Sequence, residues 1–328
     1  MSRLVKYKES LNKFIKDRSC LFDDTIISDK NIHNILINEI KNIDFTLPIL
    51  LLTIMNSQNK KNHISLQGYY AASCIYFSNI ILHLVENKSQ IIIKHGIQTY
   101  NILLNSVILA SNKSLCQNLE SIKNVISIDN AIKMYTLIMN IYYESVNYNN
   151  ILSDYKFDMS NKKSTLDTLK WHIKDDDSLI KEFNKIVQIN RESFNNYLNK
   201  KIGSLCEMTF CIGWCIGCGD IKYVNKIKKI SRYFSMLIKL ANDFKNLDDD
   251  IMNHNNGVSI NYVINYGLQD SYELFMYNKK KFIEECMTLD IYTNTIQEIM
   301  NFIEKDVDEI IDNTSPDMKS TMTSASSI

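Results

Sequence analysis

Proline and glycine are scarce: two prolines, Pro48 and Pro316, and eight glycines among 328 residues. Many short strands need those residues as punctuation between them, so an all-β sandwich or barrel is not expected. An excess of one charge is also missing, because 37 Lys+Arg stand against 37 Asp+Glu. No broad basic surface follows from that balance, and no nucleic-acid partner is expected. The longest apolar stretches, Phe45 to Met55 and Met208 to Cys218, fall short of the roughly 20 residues that a spanning helix needs, so no integral membrane segment is expected. The amino-terminal residues MSRLVKYKES are polar and do not read as a signal peptide. The eight Cys are therefore expected in a reducing, cytoplasmic setting, as small apolar side chains or ligands.

What is present is a folded composition, 45% hydrophobic and 23% charged, with apolar residues recurring at the helical period. Ile296, Ile299, Met300, Ile303, Val307, Ile310 and Ile311 form one stripe, with Glu298, Glu304, Lys305 and Asp308 off it. Similar patterns predict helices near 29–43, 65–90, 96–111, 128–150, 176–201, 220–250 and 270–289. No stretch of sustained alternation is long enough to predict a strand. The expectation is an all-α helical bundle over residues 1–312 without a linker dividing it into two cores. The polar segment 154–177, with Lys162-Lys163 and Asp175-Asp176-Asp177, reads as a loop or mobile helical insertion, the acidic run as a solvated helix start. The Ser/Thr-rich stretch 313–328 reads as a disordered tail.

The most informative region runs from Lys200 to Asp250. Gly203, Gly213, Gly217 and Gly219 are half of all the glycines and sit in one apolar stretch. Glycine weakens an isolated helix by about 1 kcal/mol per residue, so four together call for close helix contact or a function. Further on comes KLANDFKNLDDDI. At about 100° per residue, Asn242, Asp243, Asn246, Asp249 and Asp250 share one face of a single helix. Such a face is either a solvated surface or a set of hard-oxygen ligands for Mg²⁺. Lys239 lies at the same angle and would place a cation beside it.

Cys215-Ile-Gly-Cys218 has the spacing of a zinc half-site or redox pair, but it lies in the Gly-rich apolar helix and reads as packing. His83 and His95 read as hydrogen-bonded core histidines. Tyr69-Tyr70 and Tyr142-Tyr143, at helical spacing, read as core, with some aromatics free to line a chain-length cavity.

The run KKIGSL…FCIGWCIGCGD…LANDFKN resembles the second half of a trans-isoprenyl diphosphate synthase (polyprenyl synthetase), especially the divergent trans-prenyltransferases of large DNA viruses. There K-T-x-x-L precedes a Gly-rich helix, and a second aspartate-rich motif follows about forty residues later. The resemblance puts Lys201 on a lysine that contacts diphosphate, with Lys239 as a second cation. It puts Asn242, Asp243 and Asn246, extended to Asp250, on a metal-binding motif. Upstream, Asp44-Phe45-Thr46-Leu47-Pro48 resembles K-R-x-R-P, but Phe45 and Leu47 stand where two arginines would grip isopentenyl diphosphate bidentately. The helix ending in Val85-Glu86-Asn87-Lys88-Ser89 resembles the one bearing the first D-D-x-x-D, leaving Glu86 as its sole acid. Lys94-His95-Gly96 to Asn105-Ser106 resembles the following helix, with Asn105 replacing an aspartate.

The resemblance covers roughly residues 30–310, weakly before 195. It implies a single-domain antiparallel bundle around a central cavity, working as a homodimer or as a heterodimer with a related synthase, in the host cytoplasm if viral. It implies Mg²⁺-dependent transfer of an allylic prenyl diphosphate's prenyl group to isopentenyl diphosphate. Two other readings stay open: a non-catalytic subunit of the same fold, and a class I terpene cyclase. Asn242-Asp243-x-x-Asn246-x-x-x-Asp250 approximates the cyclase pattern, although Asp23-Asp24 lies too near the amino terminus to serve comfortably as its first acidic motif.

Overall fold

The computed structural model describes residues 3–18, 21, 27–41, 43–58, 66–122, 126–163, 169, 176–254 and 256–314. Asp23, Asp24, Asp175 and Pro316 lie outside them, as does the tail from residue 315 onward. The chain gathers into two compact units: Met1–Asp154 with Lys200–Ser231 and Leu289–Ile296, and Tyr155–Asn199 with Arg232–Thr288 and Gln297–Ile328.

The first unit contains α1 (Arg3–Arg18), α2 (Lys30–Ile40), α3 (Thr46–Gln58), α4 (Leu66–Glu86), α5 (Lys88–His95), α6 (Ile97–Ile122) and α7 (Ile128–Ser145). Asp29 starts α2 by accepting from the N–H groups of Asn31 and Ile32, and Asp44 starts α3 by accepting from Thr46 N at 3.0 Å. The nine residues Leu47 to Met55 are all buried, as suits a helix that is apolar all round. Within α4, Gly68–Glu86 is long and apolar enough to cross a membrane by length and composition, which the sequence reading did not single out. Most of it is buried, and it packs on α3 and α6 as a core helix.

The Gly-rich stretch forms α10 (Ser204–Ile216). A Cβ on Gly213 would lie 2.8 Å from Leu51 O, and one on Gly217 2.7 Å from Met55 O. Those two glycines, four apart, let this helix lie directly on the backbone of α3. Gly219 is covered by the Trp214 ring, whose Nε1–H donates to Asp220 O at 3.0 Å.

The second unit corrects the expectation of no strand. β1 (Met159–Lys163) pairs antiparallel with β2 (Val187–Ile189), Met159 opposite Ile189 and Lys163 opposite Val187. β1 is polar, with the sequence MSNKK, and has β2 as its one partner, so no hydrophobic alternation marks it. Anchors from elsewhere in the unit hold β2: Val187 N donates to Gly257 O and Ile189 N to Asn265 Oδ1. Around the strands lie α8 (Asp177–Phe183), capped by Asp176, and α9 (Arg191–Leu198), capped by Asn190. A π-helical turn over Asn199–Gly203 then leads into α10.

The expected helix over 220–250 is also subdivided. A short 3₁₀ turn, Ile221–Tyr223, precedes α11 (Val224–Lys245), and α12 (Leu247–Met252) follows a break at Asn246, where φ is −101° and ψ 19°. α13 (Tyr262–Tyr266), α14 (Leu268–Thr288) and α15 (Asn294–Thr314) complete the chain. The stripe on α15 is buried as its period requires at Ile296, Ile299, Met300, Ile303, Val307 and Ile311, with Ile310 half-buried at its margin.

Candidate functional site

The residues singled out from the sequence fall into two groups, one in each unit. In the first, Lys201 sits in the π-helical turn, 3% exposed. Its ammonium donates to Ile151 O at 2.8 Å and to Ser153 O at 2.5 Å. Burial pulls its pKa below the ordinary lysine value, while the negative charges of Glu86 and Asp154 act against that. Lys201 and Glu86 are thus brought within electrostatic reach of one another, Glu86 being exposed. The segment around Glu86 is a helix junction: α4 ends there, α5 starts at Lys88, and Asn87 donates back to His83 O at 3.0 Å.

Where the resemblance would place two arginines, Phe45 stacks on Tyr76 with ring centroids 4.8 Å apart, and Leu47 is buried. Asn105 is exposed on α6. His83 is half-buried with Nδ1 3.2 Å from Asn87 Nδ2, and burial lowers its pKa. His95 Nε2 lies 3.6 Å from Glu39 Oε1. Neither histidine is surrounded by a ligand set. Cys215 is buried, its thiol pushed up to about 11 mainly by desolvation, and Cys218 is exposed at a φ of 62°. The C-x-x-C therefore ends a packed helix.

In the second unit the acidic face is reorganised. Asp243 is 3% exposed, Asp250 is half-buried, and Asn242, Asn246 and Asp249 are exposed. The face expected from the sequence is divided: Asn242 and Asp243, about 100° apart on α11, already differ in burial, and a non-helical residue, Asn246, separates α11 from α12. Asp243 Oδ1 takes the Lys239 ammonium at 2.5 Å, and its Oδ2 accepts from Tyr262 N at 2.8 Å. The same ammonium donates to Ile260 O at 2.8 Å and lies 5.9 Å from the centre of the Phe194 ring. Asn261 joins the rest: its Nδ2 donates to Asp243 O at 2.7 Å and to Asp250 Oδ2 at 2.8 Å, while its Oδ1 caps α13 at Val263 N.

Burial raises the Asp243 pKa to about 6, outweighing the Lys239 charge and the Tyr262 N–H. Asp250 is raised by burial too, against the Asn261 hydrogen bond and the Lys239 charge. Asn261 and Tyr262 lie outside the sequence motif that marks the site. Asn261 was legible as a cap, an Asn directly before the apolar YVINY, but nothing in the sequence ties it to Asp243 or Asp250.

This donor set does not fit the Mg²⁺ that the resemblance implies. Among the described residues no three His, Cys, Asp or Glu side chains converge closely enough to hold a metal ion. Both oxygens of the buried carboxylate are taken by internal donors, one of them already a cation. Mg²⁺ demands near-octahedral oxygen ligands at about 2.0–2.1 Å, and a lysine ammonium bound to the same carboxylate opposes that geometry and charge.

No family model matches the sequence, and no curated protein matches it either. Solved structures do match the fold. The chain is similar to a geranyltransferase from Legionella pneumophila, 8% identical, with a TM-score of 0.60 over 93% of this chain and 96% of that one. An FPP/GFPP synthase from Zymomonas mobilis is 10% identical, with a TM-score of 0.58 over 92% and 98% of the two chains. A geranyltransferase from Helicobacter pylori, complexed with magnesium and isoprenyl diphosphate, is 10% identical, with a TM-score of 0.57 over 94% and 99%. The all-α fold is that of the isoprenyl diphosphate synthases. At these identities the likeness concerns the fold.

Proposed function

We propose that this chain is a non-catalytic protein of the isoprenyl diphosphate synthase fold that serves as a subunit, pairing with a related synthase or with itself. The observation that carries the reading is the junction at Glu86–Ser89. Diphosphate departure from an allylic substrate requires several negative charges to be neutralised as the C–O bond breaks, which two facing carboxylate motifs accomplish by holding metal ions. Here the first of those positions is a helix end with one exposed acid and an asparagine folded back on His83. The Phe45–Tyr76 stack supports the same reading, since an aromatic pair cannot grip a diphosphate as a guanidinium does. A subunit role draws support from exposed apolar side chains on α6 and α7: Leu109, Ile128, Ile132 and Tyr143.

A second reading keeps Mg²⁺-dependent transfer of an allylic prenyl group to isopentenyl diphosphate. It is favoured by the exposed Asn242 and Asn246 beside the half-buried Asp250, three oxygen donors that α11 and α12 leave at the surface. Incubating the purified protein with allylic diphosphates of several lengths and Mg²⁺, with and without isopentenyl diphosphate, separates the two. The proposal expects unchanged substrate in both reactions. Elongated diphosphates would establish the second reading instead, and hydrocarbon products would establish a cyclase.

A further inference from the structure

The feature that the proposed function leaves unused is the position of the Lys239 ammonium. It sits one helical turn before Asp243, 15% exposed at the side chain, and is held by a carboxylate oxygen and a backbone carbonyl oxygen. Those are the donor types that a hard cation collects. The two contacts, 2.5 Å to Asp243 Oδ1 and 2.8 Å to Ile260 O, have the lengths of charge-assisted hydrogen bonds, longer than Mg–O bonds. Tyr262 N–H takes the other carboxylate oxygen, and Asn261 spans from Asp243 O to Asp250 Oδ2 while capping α13. The ammonium also acts electrostatically on both Asp243 and Asp250. The ammonium thereby ties α11 to the residues leading into α13, and Asn261 carries the link on to the acid of α12.

We infer that Lys239 is the resident cation of this acidic cluster: its ammonium takes the part of a divalent ion, joins Asp243 to the residues leading into α13, and closes the cluster to metal. The inference rests on the reading of a chain that does not run metal-driven loss of diphosphate, and it adds what stands in the metal's place. A dication approaching Asp243 Oδ1 would meet the ammonium at short range in a site with little water, so repulsion excludes it. With the ammonium removed, Asp243 and Asp250 become two neighbouring acids with a buried oxygen to offer, and a divalent ion becomes a favourable guest.

The test is a Mn²⁺ titration followed by electron paramagnetic resonance, with thermal midpoints recorded in the presence and absence of Mg²⁺. It compares the wild-type chain with Lys239→Gln, Lys239→Arg, Asp243→Asn and Lys239→Gln combined with Asp243→Asn. Wild type and Lys239→Arg are expected to show no saturable Mn²⁺ binding and no Mg²⁺-dependent midpoint shift. Lys239→Gln is expected to melt lower, to bind Mn²⁺ saturably and to recover part of its midpoint with Mg²⁺. The double variant is expected to lose that response. Saturable binding by the wild type that Asp243→Asn abolishes would overturn the inference, as would a folded Lys239→Gln that ignores both ions. If Lys239→Gln does not fold, the wild-type titration and Lys239→Arg decide alone. Release of diphosphate by the wild type would defeat the proposed function while leaving the titration to stand or fall separately.

Discussion

Lys201 and Lys239 are two lysines set into helical segments of different units, and the company of each is opposite in kind. Lys201 donates to neutral acceptors, the carbonyls of Ile151 and Ser153, and its pKa falls because burial outweighs the charges of Glu86 and Asp154, neither of which is bonded to it among the described residues' contacts. Lys239 bonds a carboxylate outright and shares a network with a second one. The lesson is that residue type at a motif position does not fix its role. A lysine among carbonyls keeps a charge that only more distant acids offset and holds a turn together, whereas a lysine on an aspartate neutralises it.

Deleting the acid has the largest expected effect. Asp243→Ala leaves the Lys239 ammonium without its carboxylate, and separating a buried ion pair costs about 3–5 kcal/mol. Urea unfolding should show that loss, and a loss under 1 kcal/mol would mean that the pair is not buried in solution. Lys201→Met strands two carbonyls but removes a poorly compensated charge, so the expected cost is smaller, about 1–3 kcal/mol by the same measurement.

The pH dependence sharpens the contrast further. Asp243 has its pKa raised to about 6 in the folded chain, above its unfolded value, so the folded state binds the proton more tightly. Its contribution to stability is therefore fullest below about pH 4 and is lost as the pH rises through about 6. Wild-type stability relative to Asp243→Asn should decline over that window in urea titrations at stepped pH. A relative stability that rises across it would show the Lys239 attraction outweighing burial. The smallest effect is expected at the surface. Glu86→Gln should change stability by less than about 0.5 kcal/mol, yet it should lower the Lys201 ammonium pKa further by removing a favourable charge, which NMR of the lysine side chain can follow.

The all-α class, the buried stripe of α15 and the close-packed glycine helix were legible in the sequence because each follows from local period or from steric need. So was Lys239 beside the acids, since helical geometry puts residues four apart on one side. The destination of those acids was not legible. The carbonyls that hold Lys201 lie 50 and 48 residues before it, and Asn261 lies 18 residues after Asp243. No local rule connects such distances. The break at Asn246 carries no proline or glycine to announce it, and the hydrogen bonds Asn246 N to Asn242 O and Asp250 N to Asn246 O run on across it. The two short strands were hidden for a related reason, since a polar β1 with one partner owes its form to pairing and to anchors at Gly257 and Asn265.

Calorimetric titration of the protein with inorganic diphosphate, with and without Mg²⁺, asks whether either lysine or the paired acid is available to a metal-borne anion. Because both lysines are held by internal acceptors and the buried acid is already paired with a cation, diphosphate affinity should be weak and the same in both titrations. Tight binding that appears only with Mg²⁺ and disappears in Asp243→Asn would contradict the account.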